Sequence, residues 1–299
     1  MSFNSKISNL AIVIIFFIGC QKDINIPQPP YDSKVSIQSL IEPDSLPKVY
    51  LYHTVPFFDP RIFNAQLVLR EAEVKILGDG NVDILHLDSI YDKVNCDYNF
   101  WFVGSIPIQS NIEYTLDISY NNQSYVAKTT TNLLASSIDS VSYVQKFNDL
   151  YGEHEGVVTY FKDAPGQDNY YRYEMIRPID ASLKHASIAL STACLGSDTV
   201  SVLEYGRSVY NDINLDGQQV KIVIEPAYTH REGIKTKVRI ATIDKNAYEF
   251  LDQIDKQKLG VYNPFVEPKF LIDGQFGKNA IGYFGSMKRS VEVDFTFPE

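Results

Sequence analysis

The stretch with the most chemical potential is Asp212-Ile213-Asn214-Leu215-Asp216-Gly217. Oxygen ligands at alternate positions, with glycine sixth, match the first half of a calcium-binding loop. Such a loop carries a bidentate glutamate at its twelfth position. Here that position is Val223, and Glu225 comes two residues late. Strand-like alternation also begins at Val220, where the loop would still be irregular. The stretch therefore reads as a polar turn between strands. Asp212, Asn214 and Asp216 remain the candidate metal ligands, and no metal site is assigned.

Asp163, Asp168 and Glu174 are the acids that paired-carboxylate hydrolysis would use. Asp163 stands just before Pro165-Gly166, which is turn chemistry. Asn169 and Arg172 are expected to fix that turn, with Arg172 stacking among tyrosines. His154 lies between Glu153 and Glu155, without a second histidine nearby, and reads as solvated surface. No nucleophile elbow, zinc-helix motif or phosphate loop occurs. No catalytic residue and no cofactor is assigned, and the expectation is a protein without enzymatic activity. Rigid aromatics favour interfaces. The loops around Phe57, Phe58, Phe63 and Phe265 are accordingly the best binding candidates, although the favoured expectation is that they plug the ends of the sandwiches or pack the two domains together.

The chain has three cysteines. Cys96 and Cys194 are far apart in sequence, and are expected as two buried free thiols. They would pair only if their α-carbons came within about 7 Å. Cys20 follows one basic residue, Lys6, an apolar run from Leu10 to Ile18, and a small residue, Gly19. That is the pattern of a secretory signal peptide over residues 1–19. The run is about half the ~20 residues of a membrane-spanning helix, and Gln21-Lys22-Asp23 ends it in charge. Phe17-Ile18-Gly19-Cys20 resembles a bacterial lipoprotein signal, which implies acylation of Cys20 and a stable anchor of several acyl chains. Gln21-Lys22-Asp23 resembles the short tag that sends some Bacteroidota lipoproteins to the outer face of the outer membrane. The periplasmic face is the alternative.

The net charge of −10 repels phosphate backbones and argues against nucleic acid as partner. Hydrophobic content of 44% is ample for real cores, and 20 Tyr with 17 Phe favour strands. Pro27, Pro29 and Pro30 make residues 20–33 an extended tether with a reach of about 40 Å. Residues 34–134 carry about seven short strands with turn punctuation, the count of an immunoglobulin- or fibronectin-like sandwich. Within it, Asp79-Gly80 and Asn121-Asn122 mark hairpins, and Tyr114 suits a tyrosine corner. Residues 138–299 form a second β-rich domain with one covering helix, 244–259. Asp244 is its N-cap, and Gly260 and Pro264 end it.

Three motifs occur in order in the second half. They are Asp163-Ala164-Pro165-Gly166 with Asn169-Tyr170-Tyr171-Arg172-Tyr173, then Asn263-Pro264-Phe265 with Glu267-Pro268, then Ile281-Gly282-Tyr283-Phe284. Behind a lipoprotein leader and a sandwich, the set resembles the Bacteroidota lipoprotein family called domain of unknown function 4249. The likeness covers nearly the whole mature chain, except that Ile272-Asp273-Gly274-Gln275 stands where an Asn-Ile pair is usual. Such proteins are often encoded beside TonB-dependent transporters. The resemblance thus implies a lipid-anchored accessory or binding protein of outer-membrane uptake, and supplies no catalytic residue. A surface adhesin or glycan-binding lipoprotein is the alternative, and a hydrolase the more distant one.

Overall fold

The computed structural model describes residues 30–56, 59, 61, 63–149, 152–180, 182, 192–227, 232–262 and 274–298. The leader, Cys20, Phe57, Phe58 and Phe265 lie outside them. The chain divides into Met1–Asp32 and Ser33–Glu299, and the second unit holds every described strand. The protein is mainly β. In chain order the strands are β1 (Val35–Ile41), β2 (Lys48–His53), β3 (Glu73–Gly78), β4 (Asn81–Asp92), β5 (Asp97–Val103), β6 (Glu113–Tyr120) and β7 (Gln123–Thr130). The second half adds β8 (Ser137–Asp149), β9 (Gly152–Lys162), β10 (Tyr170–Ile179), β11 (Val200–Asn211), β12 (Gln219–Ile224), β13 (Lys235–Ile243), β14 (Ala280–Arg289) and β15 (Val293–Thr296). One helical turn, α1 (Thr192–Leu195), precedes β11, and one long helix, α2 (Lys245–Tyr262), follows β13.

Period-two burial explains most of these strands. In β1 the residues Val35, Ile37, Ser39 and Ile41 are buried and their neighbours are half-exposed. The same alternation runs through β6 and β7. Asp79 and Gly80 take φ of 50° and 73°, and Asn121 and Asn122 take 49° and 60°. Two positive-φ residues give the tight turn whose twist matches the flanking strands, so β3–β4 and β6–β7 are the expected hairpins. Tyr114 is buried, and its hydroxyl accepts the Gln109 N–H at 2.7 Å, five residues upstream. That is the backbone tie of a tyrosine corner.

Gln66–Leu77 and Ser187–Ala193, whose apolar runs read as strands in the sequence, each differ at one end. The run from Gln66 is not strand until Glu73, because Asn64–Gln66 forms a 3-10 turn. A strand expected over 187–193 runs instead into α1 at Thr192, and 187–191 lie outside the described residues.

One large sheet has the order β11-β10-β13-β14-β1-β2-β5-β4-β3-β6-β7, with β15 also on β13; a small sheet has the order β12-β9-β8. All the pairings are antiparallel except β1–β14, which is parallel. The expected division at residues 134–138 is therefore crossed by a sheet. Ala280 and Phe284 of β14 are buried in the same core as Val35, Ile37, Leu51 and Leu116. A second core gathers Val157, Phe161, Tyr171 and Ile222 between the small sheet and β10–β13. A third lies under α2, around Ile243, Phe250 and Tyr283. Gly282 permits the β1–β14 contact. It sits at φ +130°, and a β-carbon there would lie 1.7 Å from the Ile37 carbonyl oxygen. Only glycine fits that approach, which gives the Ile281-Gly282-Tyr283-Phe284 motif a physical reason.

The cysteine expectation is corrected. Cys96 and Cys194 form a disulfide across 98 residues, with α-carbons 5.5 Å apart. Both are half-buried, not enclosed. Cys96 sits in the β4–β5 turn and Cys194 in α1, just before β11. In sheet order β4 and β11 are separated by six strands. At about 4.8 Å per strand a flat sheet would hold them some 34 Å apart, so the sheet curls until its β11 edge meets the β4–β5 hairpin.

Candidate functional site

The acids singled out in sequence fall into two places. The turn after β9 and the turn between β11 and β12 meet, bringing carboxylate oxygens of Asp163, Asp212 and Asp216 within 4.8 Å of one another. Asp163 and Asp212 are buried and Asp216 is exposed. Asn214, the third expected ligand, is exposed; it serves the turn by taking φ +67°. Asp168 is exposed as well and outside this group. Asp163 enters the cluster from 49 residues upstream of Asp212, so no local pattern could have paired them.

The carboxylates are well supplied with donors. Asp163 accepts the Gly217 N–H at 2.8 Å, the Asn169 side-chain amide at 3.2 Å and the Tyr171 hydroxyl. Asp212 accepts the Asn169 N–H at 2.9 Å, and Asp216 accepts the Gly166 N–H at 2.7 Å. Asn169 also donates to the Ala164 and Gln167 carbonyls. Burial first, and then the hydrogen bond to Asp163, push the Tyr171 phenol up. Three converging carboxylates have the composition of a hard-cation site. Here their lone pairs satisfy the N–H groups of two irregular turns, buried at Asp163 and Asp212 and exposed at Asp216, which is the same accounting that caps a helix. The cluster stitches β9, β10 and the β11–β12 turn together.

Glu174 is elsewhere, with 1% exposure, on the opposite face of β10. Arg239 and Arg289 both donate to it, the Arg289 Nε at 2.8 Å, and Arg289 also reaches Glu42. A buried carboxylate held by two guanidiniums is a structural lock. It joins β10, β13 and β14 to the end of β1. The buried Arg177–Glu204 pair does the same for β10 and β11. His154, expected at the solvated surface, is instead largely buried, with its Nδ1 3.0 Å from the Glu225 carboxylate.

Of the aromatic loop candidates, Phe63 is described and is exposed beside the 3-10 turn. A larger aromatic surface was not legible in sequence, because it is assembled from strands of both halves. Tyr50 on β2 lies 6.3 Å, ring to ring, from Trp101 on β5, and the Lys48 ammonium sits 4.6 Å over the Trp101 ring. Across the curl, the Arg172 guanidinium stacks 3.4 Å over Tyr205 of β11. Burial first, then Tyr205 and Tyr52, push the Tyr50 phenol up. Burial pushes the neighbouring Tyr283 up to about 12. Tyr50 and Tyr205 nonetheless stay partly exposed. A separate cleft of about 670 Å³ opens between the end of β4 and the start of β11, with Ile90, Tyr91 and Asn99 on one wall and Ser201 and Leu203 on the other.

The sequence pattern of the family described as domain of unknown function (DUF4249) matches residues 21–292. The chain belongs to this family. The match begins directly after Cys20 and covers β1 to β14, so the DUF4249 domain takes in strands of both halves. No curated protein matches the chain. In this DUF4249 protein the motif residues Asp163, Asn169 and Tyr171 build the acidic knot, and Gly282 builds the β1–β14 seam.

Proposed function

We propose that this DUF4249 protein is a lipid-anchored binding protein of the outer membrane, an accessory of a TonB-dependent uptake system that works without catalysis. The observation that carries the binding reading is the contrast between its acids and its aromatics. The candidate acids Asp163, Asp212 and Glu174 are buried and bonded to the protein's own donors. Tyr50, Tyr91, Tyr98 and Tyr205 are exposed, and Tyr91 lines an open cleft. Aromatic contact area held on strands is what a recognition surface needs.

The anchor rests on the leader and Cys20, and on the family match starting at residue 21. Among the described residues no helix is long and apolar enough to cross a membrane, and acyl chains on Cys20 would supply attachment instead. The Pro-rich tether then lets the β-unit reach a neighbouring barrel on the cell surface. The test is Cys20→Ser. The variant should move from the membrane to the soluble fraction; retention in the membrane would refute acylation at this residue.

The Tyr91–Tyr98 pair, with rings 5.1 Å apart, favours one further reading, a glycan-binding surface protein. That reading predicts affinity for a polysaccharide in the absence of any partner protein.

A further inference from the structure

We infer that the cleft between β11 and the β4–β5 hairpin is an acceptor site for an extended polypeptide strand. One wall of the cleft is five consecutive residues, Thr199 to Leu203, so the main chain itself faces the opening. β11 ends the large sheet, and among the described residues only β10 pairs with it.

The register says which groups point outward. Ser201 lies opposite Pro178. Proline has no N–H, so the two cannot exchange the hydrogen bonds of a closely bonded antiparallel pair. They form the alternate kind, in which both residues turn their main-chain groups away from each other. The N–H and C=O of Ser201 therefore point into the cleft. The two-residue period carries the same orientation to Leu203, opposite Ile176. Ile176 in turn spends its main chain on Lys237 of β13, as that orientation requires.

An unpaired row of donors and acceptors is complementary to another strand. Proteins normally blunt such an edge with charge, proline or a cover. Here the exposed Ile90, Tyr91 and Leu203 line it beside Asp92 and the paired Lys93 and Asp198, and the hairpin leaves the cleft open. The Cys96–Cys194 disulfide and the Lys93–Asp198 ion pair hold the hairpin there. A cleft of about 670 Å³ would take a single extended chain, bonded to Ser201 and Leu203, with alternate apolar side chains against Ile90 and Leu203. The occupant is thus an extended segment of a partner protein, apolar at alternate positions. This deepens the binding reading above, without depending on the anchor or on the identity of the membrane.

A phage-displayed library of random octapeptides, selected on the purified protein, tests this. Selected peptides should alternate apolar and polar residues. N-methylation of alternate amides on one edge should weaken binding at least tenfold, and on the other edge should leave it unchanged. Ser201→Pro removes an N–H that β10 does not use, so it should keep the fold and weaken binding tenfold or more. If that variant unfolds, slowed amide exchange at Ser201 and Leu203 in the wild-type complex decides instead. Recovery of no peptide, or of peptides that ignore both the methylation and the Ser201 change, overturns the inference. So does a soluble oligosaccharide that occupies the cleft when no peptide does. None of these failures would bear on Cys20 attachment.

Discussion

At the scale of single residues, the protein uses acids as fasteners. Asp163 holds a main-chain N–H, an amide and a phenol in a place water does not reach. Asp163→Ala should cost about 3 kcal/mol or more, because three buried donors lose their acceptor; denaturant unfolding measures it. Asp244 is a different case. Its carboxylate caps α2 through the Ala247 N–H at 2.9 Å and accepts the Thr129 hydroxyl at 2.6 Å. Burial raises its pKa above the ordinary 3.8, with those bonds opposing. The folded state therefore binds a proton before the unfolded chain does. Stability contributed by this group rises as pH falls through the folded pKa, and is lost as pH rises through it again. Asp244→Asn keeps the cap and should abolish that increment while staying near wild type at pH 7. Asp244→Ala should lose about 1–2 kcal/mol at pH 7. Thermal melts of both variants between pH 4 and 7 check the signs. The cap was legible, since it lies next to its helix in sequence. The Asp163–Asp212 contact was not, because it depends on how two distant turns fold together.

At the scale of elements, alternation and turn residues were readable wherever a strand has one buried and one open face. β1, β3, β6 and β7 follow that pattern, and the β3–β4 and β6–β7 hairpins follow from Asp-Gly and Asn-Asn. Pairing between strands far apart in sequence was not readable, because an alternating strand does not name its neighbour. β14 could have closed a second sheet; Gly282 instead lets it lie against Ile37. Gly282→Ala should displace β14 from β1 and destabilise the protein by about 3 kcal/mol or more. An unchanged melting temperature would contradict the seam. The disulfide escaped sequence reasoning for the same reason, since its cysteines become neighbours only through the curl. Closing a loop of roughly 100 residues contributes up to about 4.7 kcal/mol on the chain-entropy account. Cys96→Ser with Cys194→Ser should lower stability by a sizeable part of that. It should also speed amide exchange along Val200–Leu203 more than along β6, which the bridge does not touch.

At the scale of the whole molecule, the large sheet curls until its edge meets a hairpin six strands away, with aromatics facing the space enclosed. Composition pointed to a β-rich protein with real cores, and the structure agrees. The notion of two successive modules came from the strand-poor stretch 131–136, which is only a crossing between sheets. The aromatic face was hidden because Tyr50, Trp101 and Tyr205 are ordinary core-like residues in any linear pattern. Their partial exposure emerges only when β2, β5 and β11 are placed together. Attachment by acyl chains and a Pro-rich tether would leave this face free to meet a neighbour in the membrane. Purification of the native protein from its own membranes in mild detergent tests that account most directly. The account predicts that an outer-membrane β-barrel comes with it in a fixed ratio, and that Tyr50→Ala with Tyr205→Ala releases the barrel while the fold holds. Recovery of the acylated protein alone, with those tyrosines intact, would contradict it.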